Sequence, residues 1–225
     1  AYRNGAMGLL PPETATYYNP FREWIGAQIR ADFFGYINPG NPKLAAEMAW
    51  RDAPISHVKN GIYGEMFVAA MLAVAAETDN IKDIILGGLA EIPHTSRLYE
   101  EIKSVLGCFE NGLSQSDCFK TIHKKYDEHS AHDWCHTISN AMIVAASLLY
   151  GGGDYGKSIC MSVETGFDTD CNGATVGSIL GMANGIESIP EYWVKSINDT
   201  LYTSIFGINK VKISDRVKLT LEHIK

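Results

Sequence analysis

The sequence predicts an all-α protein of about ten helices, and three observations carry that expectation. Apolar residues recur at i, i+3 and i+4 through much of the chain, whereas alternating period-2 runs of β-branched residues are scarce. Short clusters of Gly, Pro and Asn separate the periodic stretches. Nothing resembles a domain linker or an internal repeat, and 225 residues suffice for one large core, so a single domain over 1–225 is expected.

The elements follow in chain order. A helix over 20–34 follows from Trp24, Ile25, Gln28, Ile29 and Asp32 at helical spacing. The Asn41-Pro42 start signal predicts a second over 41–51. The stretch "YGEMFVAAMLAVAAE" is apolar all round and predicts a third, buried one over 63–77. Further helices are expected over 81–89, 96–111, 114–125, 132–149, 156–165, 174–185 and 190–203. Gly151, Gly152 and Gly153 read as a connection rather than a phosphate loop, because an apolar helical stretch and no strand precedes them. Asp154 is placed to cap the next helix.

Composition narrows the function classes. Hydrophobic residues make up 46% and charged ones 20%, which is globular. A net charge of −7 argues against a nucleic-acid surface, since phosphate binding needs clustered Lys and Arg. The apolar run at 66–76 is too short to span a bilayer, so no membrane partner is expected. Five cysteines, an odd number without paired close spacing, read as reduced thiols of a cytoplasmic protein.

The stretch "GFDTDCNGATVGSILG" carries the densest chemistry. Asp168, Asp170, Asn172 and Gly173 match the opening of a calcium loop. The twelfth position, however, is Ile179, where an EF-hand needs a bidentate Glu, so the EF-hand reading fails. Gly173, Gly177, Gly181 and Gly185 then recur every four residues, a stripe where another helix can approach closely. Each glycine costs about 1 kcal/mol relative to Ala inside a helix, so close packing or a site must offset it. Two acids ahead of such a helix suit a metal or a ligand, while helix capping is the plainer alternative.

Two other constellations stand out. His57, Asn60, Gly61, Tyr63 and Gly64 fall in a short loop before the apolar helix, where backbone N–H groups could bind an anion or Asn60 could simply cap a turn. His129, His132 and His136 with Cys135 have the residue types of a zinc hydrolase site, and core or surface histidines are the competing reading.

Three separated segments, "EWIGAQIRADFFGYINPGNPKLAAEMAWRDA", "ISHVKNGIYGEMFVAAMLAVAA" and "SVETGFDTDCNGATVGSILGMANG", resemble in order the ADP-ribosylglycohydrolase family, enzymes of the dinitrogenase reductase-activating glycohydrolase type. The first is similar to a bacterial branch of it. The resemblance implies a compact orthogonal multi-helix bundle and Mg²⁺-assisted hydrolysis of the glycosidic bond of ADP-ribosyl groups or related nucleotide-ribosyl linkages, commonly with two ions. The substrate is then small-molecule or protein-linked ADP-ribose. It assigns Asp168 and Asp170 to metal and catalysis, and places His57, Gly61, Tyr63 and Gly64 near the bound nucleotide. Cys171 stands where the family has Thr or Ser, a poor exchange for a hard cation, so Asn172 or a water would supply that oxygen. The family's upstream Asp-Asp run has no counterpart here. The expectation is therefore that an N-terminal part lies outside this chain and that the chain alone turns over little. A non-catalytic ADP-ribose-binding relative is the alternative.

Overall fold

The computed structural model describes residues 1–224. In order the elements are α1 (Tyr2–Ala6), α2 (Glu13–Thr16), a 3-10 turn at Gln28–Arg30, α3 (Asp32–Tyr36), α4 (Pro42–Asp52), α5 (Asn60–Ala75), α6 (Ile81–Ala90), α7 (Arg97–Glu110) and α8 (Gln115–Lys125). There follow α9 (Thr137–Gly151), α10 (Tyr155–Glu164), α11 (Thr169–Asn184), α12 (Glu191–Lys195), β1 (Thr200–Ile205), β2 (Ile208–Lys212) and α13 (Ile213–Leu221). The protein is all-α apart from the antiparallel β1–β2 hairpin.

Two helices form the centre. In α5 the residues from Phe67 to Ala73 are buried without interruption, and in α9 every residue from Thr137 to Leu149 is buried. A helix apolar on all sides must be surrounded, and both are. α3, α4 and α6 cover α5, while α7, α8 and α10 cover α9. α11 packs on α10 and reaches both central helices. One apolar cluster runs from Ala31 to Leu180, and α12, β2 and α13 contribute no buried residue.

Side-chain caps start five of the longer helices. Asn41 accepts from Leu44 N, Asn80 from Lys82 N and Asp83 N, Ser96 from Tyr99 N, Ser114 from Asp117 N and Asp154 from Lys157 N. Each such cap is worth about 1 kcal/mol.

Four expectations need correction. The helix over 20–34 does not form: residues 20–27 turn irregularly before the 3-10 segment and α3. Tertiary pairing takes its backbone groups, since Ile25 N–H donates to Cys135 O at 2.8 Å and Thr137 N–H to Glu23 O at 3.1 Å. The same pairing, a bridge between Trp24 and His136, keeps 132–136 out of the helix expected from 132 and starts α9 at Thr137. α11 begins at Thr169, five residues ahead of expectation. The helix over 190–203 stops at Lys195, and the β-branched residues Thr200, Thr203 and Ile205 go instead into the hairpin.

Candidate active site

The approach to Asp168 is a double left-handed turn. Gly166 has φ +86° and Phe167 φ +64°, and a Cβ at position 166 would collide with the Glu128 carboxylate. Phe167 is nonetheless buried, its ring 5.1 Å from that of His123, and this anchors the turn between α10 and α11. Asp168 occupies the N-cap position of α11 but makes no capping bond with its side chain. The carboxylate is therefore free for other work.

Asn140, in the first turn of α9 and fully buried, holds the aspartate's backbone. Its Oδ1 accepts from Asp168 N–H at 3.0 Å and from Asn172 Nδ2 at 2.8 Å, and its Nδ2 donates to the carbonyls of Trp134 and His136. A fully satisfied buried amide of this kind ties three chain segments to one point. Asp168 itself is 8% exposed, and its Oδ2 accepts from Cys135 Sγ at 3.1 Å.

Asp168, Asp170 and Cys171 bring their ligand atoms within 4.8 Å of one another. Burial pushes the Asp168 carboxyl above the usual carboxylate range, against bonds from the Cys171 and Cys135 thiols that pull it down. Asp170 is exposed and held below that range, first by its hydrogen bond with Asp168 and then by the Cys171 backbone N–H. Their environments push the two acids apart, so that Asp168 is the harder of the two to ionise and Asp170 the easier. Burial, and then the bond to Asp168, raise the Cys135 thiol to about 12, and burial and Asp168 raise Cys171 in the same direction.

His57 shares a cleft of about 320 Å³ with Asp168, walled by Phe21, Trp24, Ile29 and Cys135. Its Nδ1 lies 2.7 Å from Ser56 Oγ. Burial and then the charge of Arg30 lower its pKa from 6.5 to about 4, so the ring is neutral near pH 7.

The other residues expected in the loop with His57 lie instead at the start of α5, which begins at Asn60, and they separate from this cleft. Asn60 donates to Glu23 Oε2 at 2.8 Å and accepts from Leu98 N–H at 3.1 Å, so it ties α5 to α7 and does not cap its own helix. Asn60 and Tyr63 line a different hollow of about 330 Å³ beside Lys59 and Arg97. Gly61 and Gly64 serve close packing: a Cβ at 61 would lie 2.8 Å from Arg22 O and 3.0 Å from the His57 side chain, and one at 64 would collide with the Thr137 methyl. The histidines of the zinc reading do not gather, since no group of three or more potential ligands other than Asp168, Asp170 and Cys171 meets that 4.8 Å spacing among the described residues. His136 Nδ1 instead accepts from Ile138 N–H as the cap of α9, and His132 bonds Asp133 at 3.0 Å.

Sequence reasoning missed Asn140, Arg30, Ser56 and Glu65. Asn140 left a signal, a lone amide inside the apolar run "ISNAMIVAA". Glu65 left a similar one in "GEMFVAAM". It is fully buried with both oxygens unpartnered, 3.9 Å from Arg30 Nη2, and burial foremost raises its pKa to about 9.

The family model for ADP-ribosylglycohydrolase matches residues 2–219. The chain belongs to the ADP-ribosylglycohydrolase family. Comparisons with curated proteins and with solved structures found no match. Membership makes this a glycosidic hydrolase in general type, within a family that depends on metal. Among the described residues no helix is long and apolar enough to cross a membrane.

Proposed function

We propose that the protein hydrolyses the glycosidic bond of ADP-ribosyl groups, or of related nucleotide-ribosyl linkages, on a small-molecule or protein-linked substrate. The observation that carries this reading is the joint placement of Asp168 and His57 on one cleft, with Asp170 and Cys171 gathered around the same carboxylate. Residues 1–225 would act as one domain in a reducing cytoplasmic setting, a reading supported by five free cysteines.

The donor set fits a divalent cation in two of its three members. The carboxylates of Asp168 and Asp170 are hard oxygen ligands of the kind Mg²⁺ prefers, whereas the Cys171 thiol is soft. Asp168 and Asp170 would hold the ion, with the buried and unpartnered Asn172 Oδ1 as the nearby oxygen best able to replace the thiol. A bound divalent cation supplies charge to orient ribose hydroxyls and to acidify water.

The chain's own groups do the rest. Cleavage develops positive charge on the ribose ring, and an ionised Asp170 stabilises charge of that sign. Asp168, on the wall of that cleft, is placed to accept a proton from an attacking water. Cys135 keeps that side chain oriented through its 3.1 Å bond. His57, neutral, offers a hydrogen bond without adding charge. Trp24 and Ile29 exclude water from one wall.

Release of free ADP-ribose from ADP-ribosyl-arginine, ADP-ribosyl-serine and O-acetyl-ADP-ribose tests the proposal, alongside calorimetric titration with ADP-ribose in Mg²⁺. Metal-dependent binding or turnover that Asp168→Asn abolishes supports it. A protein that neither binds ADP-ribose nor responds to metal contradicts it. A second reading, a relative that holds ADP-ribose without cleaving it, is favoured by the soft Cys171, and binding without release would select it.

A further inference from the structure

We propose that Arg30 and Ser56 are positioning residues that hold His57 in the tautomer with its proton on Nε2, so that a neutral N–H donor faces the cleft. The inference rests on the reading of that cleft as the ligand site. Donor and acceptor inventories locate the proton. A guanidinium can only donate. Arg30 Nη2 lies 3.0 Å from Ser56 Oγ, so that oxygen accepts from it. The hydroxyl has one proton of its own, and the partner it has left is His57 Nδ1 at 2.7 Å. A ring nitrogen that accepts carries no hydrogen, and in a neutral imidazole the other nitrogen then does.

Arg30 is fixed on its remaining sides. Its Nε is bonded to Asp52 Oδ2, its Nη1 donates to Gly26 O at 3.1 Å, and the buried Glu65 lies 3.9 Å from Nη2. Asp52 of α4, Glu65 of α5 and the Gly26 carbonyl thus converge on one guanidinium, which keeps Nη2 aimed at Ser56 Oγ and leaves His57 Nδ1 as the acceptor in reach of the hydroxyl proton. The far edge of the imidazole lies along Gly26, where a Cβ would stand 3.3 Å from Cε1 and 3.4 Å from Nε2. Both residues line the cleft, and position 26 has no side chain to cover that edge. A neutral donor there selects an acceptor oxygen, such as a ribose hydroxyl, a carbonyl or a phosphoryl oxygen, and gives nothing to a ligand ammonium.

Ring-nitrogen NMR of the whole chain without ligand, at about pH 7, reads this directly. The His57 resonances, among seven histidines, are assigned through bonds to its own Cβ. The expected result is a protonated Nε2 and a hydrogen-bonded, unprotonated Nδ1. Ser56→Ala should move the Nδ1 resonance to that of an unbonded nitrogen. Ser56→Asp, which can only accept when ionised, should transfer the proton to Nδ1 and weaken ADP-ribose binding by about tenfold or less. A wild-type ring protonated on Nδ1, or a Ser56→Asp ring still protonated on Nε2, would overturn the proposal. Should Ser56→Asp not fold, an Nδ1 resonance unmoved by Ser56→Ala overturns it equally. These spectra contain no substrate, so they succeed or fail separately from the test of hydrolysis.

Discussion

At the scale of single residues, Asp168 sits where a helix cap belongs, yet its carboxylate caps nothing and instead meets two thiols and a second acid. A buried acid held above its usual pKa for want of solvent does not stabilise the fold at neutral pH. Asp168→Asn and Asp170→Asn are expected to lower turnover at least about 100-fold. In metal-free buffer Asp168→Asn should leave Tm unchanged or slightly raised, whereas Asp170→Asn, which removes a carboxylate held below its usual range at a helix start, should lower it slightly. A fall of several degrees for both would make them packing residues. Cys171→Thr should tighten Mg²⁺ binding about tenfold or more by replacing a soft donor with a hard one. Calorimetry on both proteins decides it, and equal affinities would show that residue 171 does not touch the ion.

At the scale of elements, the glycine stripe on α11 divides in two. Gly173 and Gly177 face α10, where a Cβ at 177 would stand 3.1 Å from Tyr155 Oη and 3.2 Å from Ile159 Cδ1. A Cβ at 181 would have a more ordinary 3.7 Å contact with Ile189, and Gly185 ends the helix at φ +76°. Gly177→Leu is therefore expected to cost about 1–3 kcal/mol by overpacking, and Gly181→Ala to be neutral or mildly stabilising. Urea unfolding of the two variants would separate them, and equal stability would remove the close-packing account. Helices with their own caps and periodicity, α4, α6, α7, α8 and α10, are readable because local signals set them. The segment around Trp24 is not, since its backbone pairs with residues more than a hundred positions away. The same holds for the site: Asp168, Asp170 and His57 stand in local motifs, whereas Asn140 and Arg30 gain their roles only when distant helices meet.

At the scale of the whole molecule, buried titratable groups act on stability in opposite directions. His57 and His136 have folded pKa values near 4 against an ordinary 6.5, in each case mainly through burial. The unfolded chain binds more protons in that window, so their contribution is complete above about 6.5 and is lost as pH falls toward 4. Glu65 runs the other way, with a folded value of about 9 against 4.5. Its contribution is complete below about 4.5 and is lost as pH rises toward 9. Glu65→Gln should therefore gain Tm relative to wild type between about pH 5 and about pH 8. Melting curves at both ends check this, and a constant difference would mean that Glu65 ionises normally. On the proposed reading, Asp168 and Asp170 grip a divalent ion beside a sugar held near His57. An anomalous difference map from crystals soaked with Mn²⁺ and ADP-ribose checks this. The expected result is a peak bonded to both carboxylates with the ribose turned toward the imidazole. A map with no peak there, or with the ion among His129, His132 and His136, would contradict it.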